Sequence, residues 1–127
     1  MLRKRFARLL PVAVLVLITL LLVSASNAAV ATKIVYIYPG NFFKPQAPAI
    51  KVGDSIKWIS KSSVTHTATS CAMTAGRTCG SPGADFDTGD ISPGATVTLG
   101  PFTLPGVYAY HCSKLGHDYM VGAIFVK

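Results

Sequence analysis

Glutamate is absent from this 127-residue chain, whose five acidic residues are all aspartates: Asp54, Asp85, Asp87, Asp90 and Asp118. They read as turn or loop positions, and no paired carboxylate set or nucleophile–base pair is evident, which argues against an enzyme. Histidine is equally scarce, with three residues in all, so two metal centres rich in imidazole cannot be built. No contiguous basic stripe marks a nucleic-acid surface. No internal repeat is visible, and nothing after the first thirty or so residues keeps a helical period.

Long apolar runs are missing too, save one. Met1-Leu2-Arg3-Lys4-Arg5-Phe6-Ala7-Arg8 precedes an apolar stretch from Leu9 to Val23, and Ser24-Ala25-Ser26-Asn27-Ala28-Ala29 follows. A basic n-region, a short apolar h-region and small residues describe a secretory signal peptide. Cleavage is expected after Ala28, leaving residues 29–127 as one domain. The alternative is a retained membrane anchor, although Leu9–Val23 is short of the roughly 20 residues that span a bilayer. Arg3-Lys4-Arg5 resembles a twin-arginine signal only loosely, so the export route stays open.

The formal charge of +7 belongs largely to that leader. Of 12 basic residues four precede Ala28, so eight remain against five acidic ones, a net charge of +3. The remaining length suits one small domain with one core.

That domain reads as all-β. Thr32–Tyr38 alternates in the manner of a strand, and Pro39-Gly40-Asn41 breaks it. Phe42–Pro45 and Ala47-Pro48 suit an edge segment, because proline cannot donate to a central ladder. Ala49–Val52 and Ser55–Ile59 read as two strands joined tightly by Gly53-Asp54, with Ile50, Val52, Ile56 and Trp58 in the core. Ser70–Ala84 reads as a loop. Strands are expected over Ala95–Leu99, Phe102–Leu104, Val107–Cys112 and Val121–Lys127, a spacing that suggests a sandwich or barrel.

Three cysteines in an exported protein divide as two plus one. Cys71 and Cys79 bracket a short polar loop, and an oxidising compartment favours a disulfide between them. A ring this small stabilises by roughly 2.5 kcal/mol on the chain-entropy estimate. Two free thiols, or an auxiliary Cu(I) site with Met73, are the alternatives. Cys112 then needs its own explanation.

Its neighbours supply one. Cys112, His117 and Met120 follow a C-x4-H-x2-M spacing between two strand-like runs, and His66 lies upstream in Thr65-His66-Thr67. Two imidazoles, a thiolate and a thioether form a soft nitrogen–sulfur set, the set of a His2Cys site with a weak axial Met at a blue-copper electron-transfer centre. Tyr110 and Cys112 share one face of their strand and His111 takes the other. Singly, each residue has an ordinary role: a polar strand histidine, a buried thiol, a core methionine. The spacing in one loop is what makes the joint reading.

Val52-Gly53-Asp54-Ser55-x-Lys57-Trp58, Phe86-Asp87-Thr88-Gly89, Ser92-Pro93-Gly94 and Pro105-Gly106-x-Tyr108-x-Tyr110-His111-Cys112 resemble the plastocyanin/amicyanin branch of the cupredoxins, as do Phe42 with Pro45, Thr65-His66-Thr67 and the closing Met120-x-Gly122-x-Ile124-x-Val126. The resemblance covers essentially the whole domain. It implies a Greek-key β-sandwich, one type 1 copper per chain, and ligand roles for His66, Cys112, His117 and Met120. The four residues Ser113–Gly116 between Cys and His resemble azurin-like loops, whereas the two between His117 and Met120 match amicyanin. This hybrid bears on the potential and the axial Met distance.

In copper nitrite reductases and multicopper oxidases a histidine beside the cysteine leads to a second copper, but His111 lacks the further histidines that centre needs. A dinuclear CuA centre needs two cysteines where this loop holds only Cys112. The family pattern makes His117 the electron's exit, and Leu115, Gly116 and Tyr119 either form an apolar docking rim or pack as ordinary loop residues. The expected function is a monomeric, exported electron carrier cycling between Cu(I) and Cu(II) and docking transiently with redox proteins. The alternative is a copper delivery or buffering protein using the same site.

Overall fold

The computed structural model describes residues 28–73 and 79–127. The expected leader, residues 1–28, lies outside the described residues but for Ala28. Among the described residues there is no helix long and apolar enough to cross a membrane.

The described residues form nine strands, in order β1 (Thr32–Tyr38), β2 (Phe42–Lys44), β3 (Ala49–Ile50), β4 (Ser55–Ser60), β5 (Thr69–Met73), β6 (Cys79–Asp87), β7 (Thr96–Leu99), β8 (Gly106–His111) and β9 (Val121–Val126). They form two sheets, β2-β1-β4-β7 and β3-β9-β8-β5-β6. The chain passes repeatedly from one sheet to the other, which makes the expected Greek-key β-sandwich.

Period-two alternation decides which side chains enter the core. β4 buries Ile56, Trp58 and Ser60 while Lys57 and Ile59 face outward. β1 buries Val35 and Ile37, and β9 buries Gly122, Ile124 and Val126. An aromatic cluster fills the middle. Tyr110 packs edge-on against Phe43 with ring centroids 4.7 Å apart and against Trp58 at 5.8 Å. Phe86 lies 5.8 Å from Trp58 and 5.9 Å from Tyr110. Gly122 pairs with Tyr110 across β8 and β9, and a Cβ there would fall 2.5 Å from the phenol ring. The absent side chain is the space the ring occupies.

Three local expectations are corrected. Ala49–Ile59 is not a hairpin: β3 pairs parallel with β9 in one sheet, and β4 pairs with β1 and β7 in the other. Gly53-Asp54 is therefore a crossing between layers, and Val52 is 47% exposed, outside the core. Of the expected loop Ser70–Ala84, residues 70–73 and 79–84 are strand, with β5 paired antiparallel to β6, which places Asp85 and Asp87 on a strand, while residues 74–78 lie outside the described residues. The Gly, Ser and Thr residues here are tolerated because β6 is an edge strand with register shifts against β5. Phe102–Leu104 forms no strand; Phe102 is buried at the sandwich end instead.

The disulfide joins Cys71 to Cys79 across this β5–β6 pair. It replaces the readings of two free thiols or an auxiliary copper site.

Asp54 holds the crossing in place. Its carboxylate accepts backbone N–H bonds from Ala31 at 2.8 Å and Lys51 at 3.0 Å. Those two bonds, Ala31 first, hold the carboxyl below the usual carboxylate range. A pKa lowered by folding contributes stability above the unfolded value, and that contribution is lost as pH falls through the folded value. Asp54→Asn is therefore expected to melt below the parent protein at neutral pH. The gap should close as pH drops from about 5 to 2, followed as Tm against pH. A gap constant across that range would show that the Asp54 charge is not the stabilising feature.

Candidate metal centre

Two chain segments bring the donors together at one end of the sandwich. His66 sits between β4 and β5 and is pinned by two backbone bonds to Ile91, one given (3.1 Å) and one received (2.7 Å). Cys112 directly follows β8, and its N–H bonds the Met120 carbonyl at 3.0 Å, closing the loop where β9 begins. Inside that loop the His117 N–H bonds Lys114 O at 3.0 Å and the Met120 N–H bonds His117 O at 2.8 Å. Gly116, at φ +80°, takes the left-handed conformation that lets the loop turn so tightly.

The result is a cluster of His66, Cys112 and His117, whose ligand atoms all lie within 4.8 Å of one another. Cys112 Sγ is 3.3 Å from His117 Nδ1 and 3.8 Å from His66 Nδ1. The imidazole rings face each other at 5.0 Å. His66 and Cys112 are fully buried and His117 is half-buried. Burial, and then the charge of His117, lower the His66 pKa. Both effects favour the neutral imidazole a metal requires. Met120, buried in the same core cluster, is tied to Cys112 through the backbone.

Sequence reasoning passed over Thr67 and Ser113. The Thr67 N–H points to Cys112 Sγ at 3.3 Å. Its hydroxyl accepts the Ser113 N–H at 2.8 Å and lies 3.0 Å from Ser113 Oγ, so the residues after His66 and Cys112 are tied together. Thr69 extends the network to Asp87 at 3.0 Å. Adjacency of Thr67 to His66 and of Ser113 to Cys112 was the only signal for them in the sequence.

His111 stands apart from the cluster. It pairs with Thr69 and Val121, on the face opposite Tyr110 and Cys112. Leu115 is fully exposed and Tyr119 is 65% exposed, with Gly116 also at the surface beside His117. Lys114 forms an ion pair with Asp90 across the loop, a surface contact of small energy.

The donor set suits copper: two imidazole nitrogens tolerate Cu(II), and buried sulfur favours Cu(I). A two-sheet sandwich carrying this set at one end defines the cupredoxin class. No protein-family model matches the chain. A plastocyanin from Prochlorothrix hollandica is 33% identical over 131 residues, spanning 99% of this chain and 95% of the relative. A purple cupredoxin from Nitrosopumilus maritimus superposes with a TM-score of 0.63 at 26% identity, over 75% of this chain and 99% of that one. A Cu-containing nitrite reductase from Thermus scotoductus SA-01 gives a TM-score of 0.60 at 27% identity, over 76% of this chain but 22% of the reductase. The chain belongs to the plastocyanin family of cupredoxins, electron carriers with one copper ion.

Proposed function

We propose that this chain is an exported type 1 copper protein that carries single electrons between redox partners, with His66, Cys112, His117 and Met120 as the residues that would hold the ion. The observation that supports it is the convergence of the two imidazoles and the buried sulfur within 4.8 Å. Copper held there would supply reversible one-electron chemistry between Cu(I) and Cu(II).

The residues divide the remaining work. Burial of His66, Cys112 and Met120 excludes water from the donors, and the Thr67–Ser113 bonds keep the two ligand segments in register before metal arrives. A donor set fixed by the fold needs little rearrangement when the charge changes. His117 alone of the imidazole ligands reaches the surface, so its ring is the exit for the electron, with Leu115, Gly116 and Tyr119 around it as a docking rim. Transient redox encounters use small interfaces, which suits a monomer.

Optical and electron paramagnetic resonance spectra of the copper-loaded protein test the centre. An intense blue to purple colour with an axial or rhombic type 1 signal is expected, and a colourless copper-loaded protein overturns it. Anaerobic stopped-flow mixing with redox proteins of the same compartment separates carriage from delivery or buffering: full copper loading without electron exchange favours the latter. Nitrite turnover would overturn the non-catalytic reading. Intact mass of the exported protein tests cleavage after Ala28.

Met120→Leu is expected to retain copper and raise the reduction potential, because the electron-donating thioether that would face the ion is removed. Protein-film voltammetry checks it. An unchanged potential and spectrum would remove Met120 from the ligand set.

A further inference from the structure

The sheet β2-β1-β4-β7 turns one face to the core and the other to solvent. On that outer face the aromatic side chains of Tyr36, Tyr38 and Phe42 stand beside Lys44, Lys57 and Lys61. Lys44 lies opposite Tyr36, and Phe42 opposite Tyr38, across β1 and β2. Lys57 pairs with Ile34 across β1 and β4. The rings run in a strip: Tyr36 and Tyr38 are 6.0 Å apart, and Phe42 stacks on Tyr38 at 5.5 Å. Lys61 Nζ sits 5.7 Å from the centre of the Tyr36 ring. Phe42, which opens β2, is 47% exposed.

No carboxylate shares the face. Asp54 is buried at the layer crossing, Asp85 and Asp87 are on β6 of the other sheet, Asp90 follows β6, and Asp118 is in the donor loop. The ion pair found among the described residues, Lys114–Asp90, belongs to that loop. Three lysines thus share this face without a counter-charge. The strip also runs on toward the metal centre. Asn41, in the turn between β1 and β2, donates its Nδ2–H to the Tyr119 hydroxyl at 3.1 Å, and Tyr119 adjoins Met120.

We infer that this face, on the copper-carrier reading above, is the docking surface for an acidic protein partner. Aromatic side chains supply contact area at small entropic cost, and they are enriched where proteins meet. Lysines without counter-charges steer a negatively charged surface into place and repel basic proteins. Their attraction acts over about a Debye length, roughly 10 Å at 0.1 M salt. An acidic partner held here would lie alongside Tyr119, and so beside the loop that carries His117.

The test is a 15N NMR titration of the protein with an octaglutamate peptide, run without added copper and again after Cu(I) is added. It reads backbone amides and needs neither colour nor electron transfer, so it succeeds or fails independently of the copper reading. Shifts should concentrate at Tyr36, Tyr38, Phe42 and Lys61 and fade as salt rises past about 0.1 M. The exposed pair Lys44→Glu and Lys61→Glu, with folding checked by circular dichroism, should weaken binding about tenfold or more, whereas Val107→Ala, at an exposed position on β8 of the other sheet, should not. Shifts centred on Lys51 and Lys127, or indifferent to the double reversal, overturn the inference. A parallel arm uses vesicles of zwitterionic lipid with about one-third anionic phosphatidylglycerol. Vesicle binding that is lost on the same reversal, with no octaglutamate shifts, assigns the face to a lipid surface and also overturns it.

Discussion

Copper-loaded Cys112→Ser protein is expected to lose the intense charge-transfer colour entirely while keeping its fold. Cys112 Sγ lies 3.3 Å and 3.8 Å from the Nδ1 atoms of His117 and His66, and it accepts an N–H from Thr67. A thiol in that position is deprotonated by a bound cation. A serine hydroxyl is not deprotonated so readily, and its hard oxygen gives no comparable sulfur-to-copper transition. The substitution nearly conserves volume, so the surrounding core should persist. Circular dichroism reports the fold, and visible absorption with electron paramagnetic resonance reports the site. Colour retained at wild-type intensity would take Cys112 out of the ligand set. Ser113, one residue along and exposed, provides the control: Ser113→Ala removes the hydroxyl contact to Thr67 but leaves every proposed donor in place.

The second large effect concerns stability. Trp58 is fully buried between the two sheets, with Tyr110 and Phe86 both at 5.8 Å from its ring. Trp58→Ala should cost about 3–5 kcal/mol, because the lost transfer energy is compounded by a cavity that packed aromatic rings cannot close. A domain of this size has only about 5–15 kcal/mol in total, so the midpoint of thermal unfolding should fall by at least about 12 °C. Trp58→Phe should cost less. It keeps an aromatic wall and removes an indole N–H that has no hydrogen-bond partner among the described residues. Differential scanning calorimetry of the metal-free proteins separates this effect from copper binding. A loss below about 1 kcal/mol for the alanine variant would mean the core repacks around the site.

Legibility of the sequence differed between the centre and the frame. The C-x4-H-x2-M spacing could be read because Cys112, His117 and Met120 share one short loop, and His66 stood out among few histidines. Thr32–Tyr38 was equally plain, its bounds those of β1 and its alternation that of Val35–Tyr38. Pairing was harder. Ala49–Ile59 looked like a hairpin because two apolar runs flank Gly53-Asp54, yet β3 and β4 lie in different sheets. Local pattern specifies a turn but not which distant strand lies beside each arm. The loop expected over Ser70–Ala84 failed at residues 70–73 and 79–84 for a related reason: their strand character comes from pairing with neighbours and from the Cys71–Cys79 link rather than from apolar alternation.

The order of donors, the cysteine left over after pairing and the all-β alternation were fixed by residue identity and spacing, since they depend on chemistry within a few positions of the chain. The meeting of His66 with Cys112, 46 residues apart, required the sandwich. So did the Thr67 donor to sulfur, the space that Gly122 leaves for Tyr110, and the gathering of three lysines on a face without acids. Each of these depends on which strands become neighbours, and that choice is made by packing two sheets around one core.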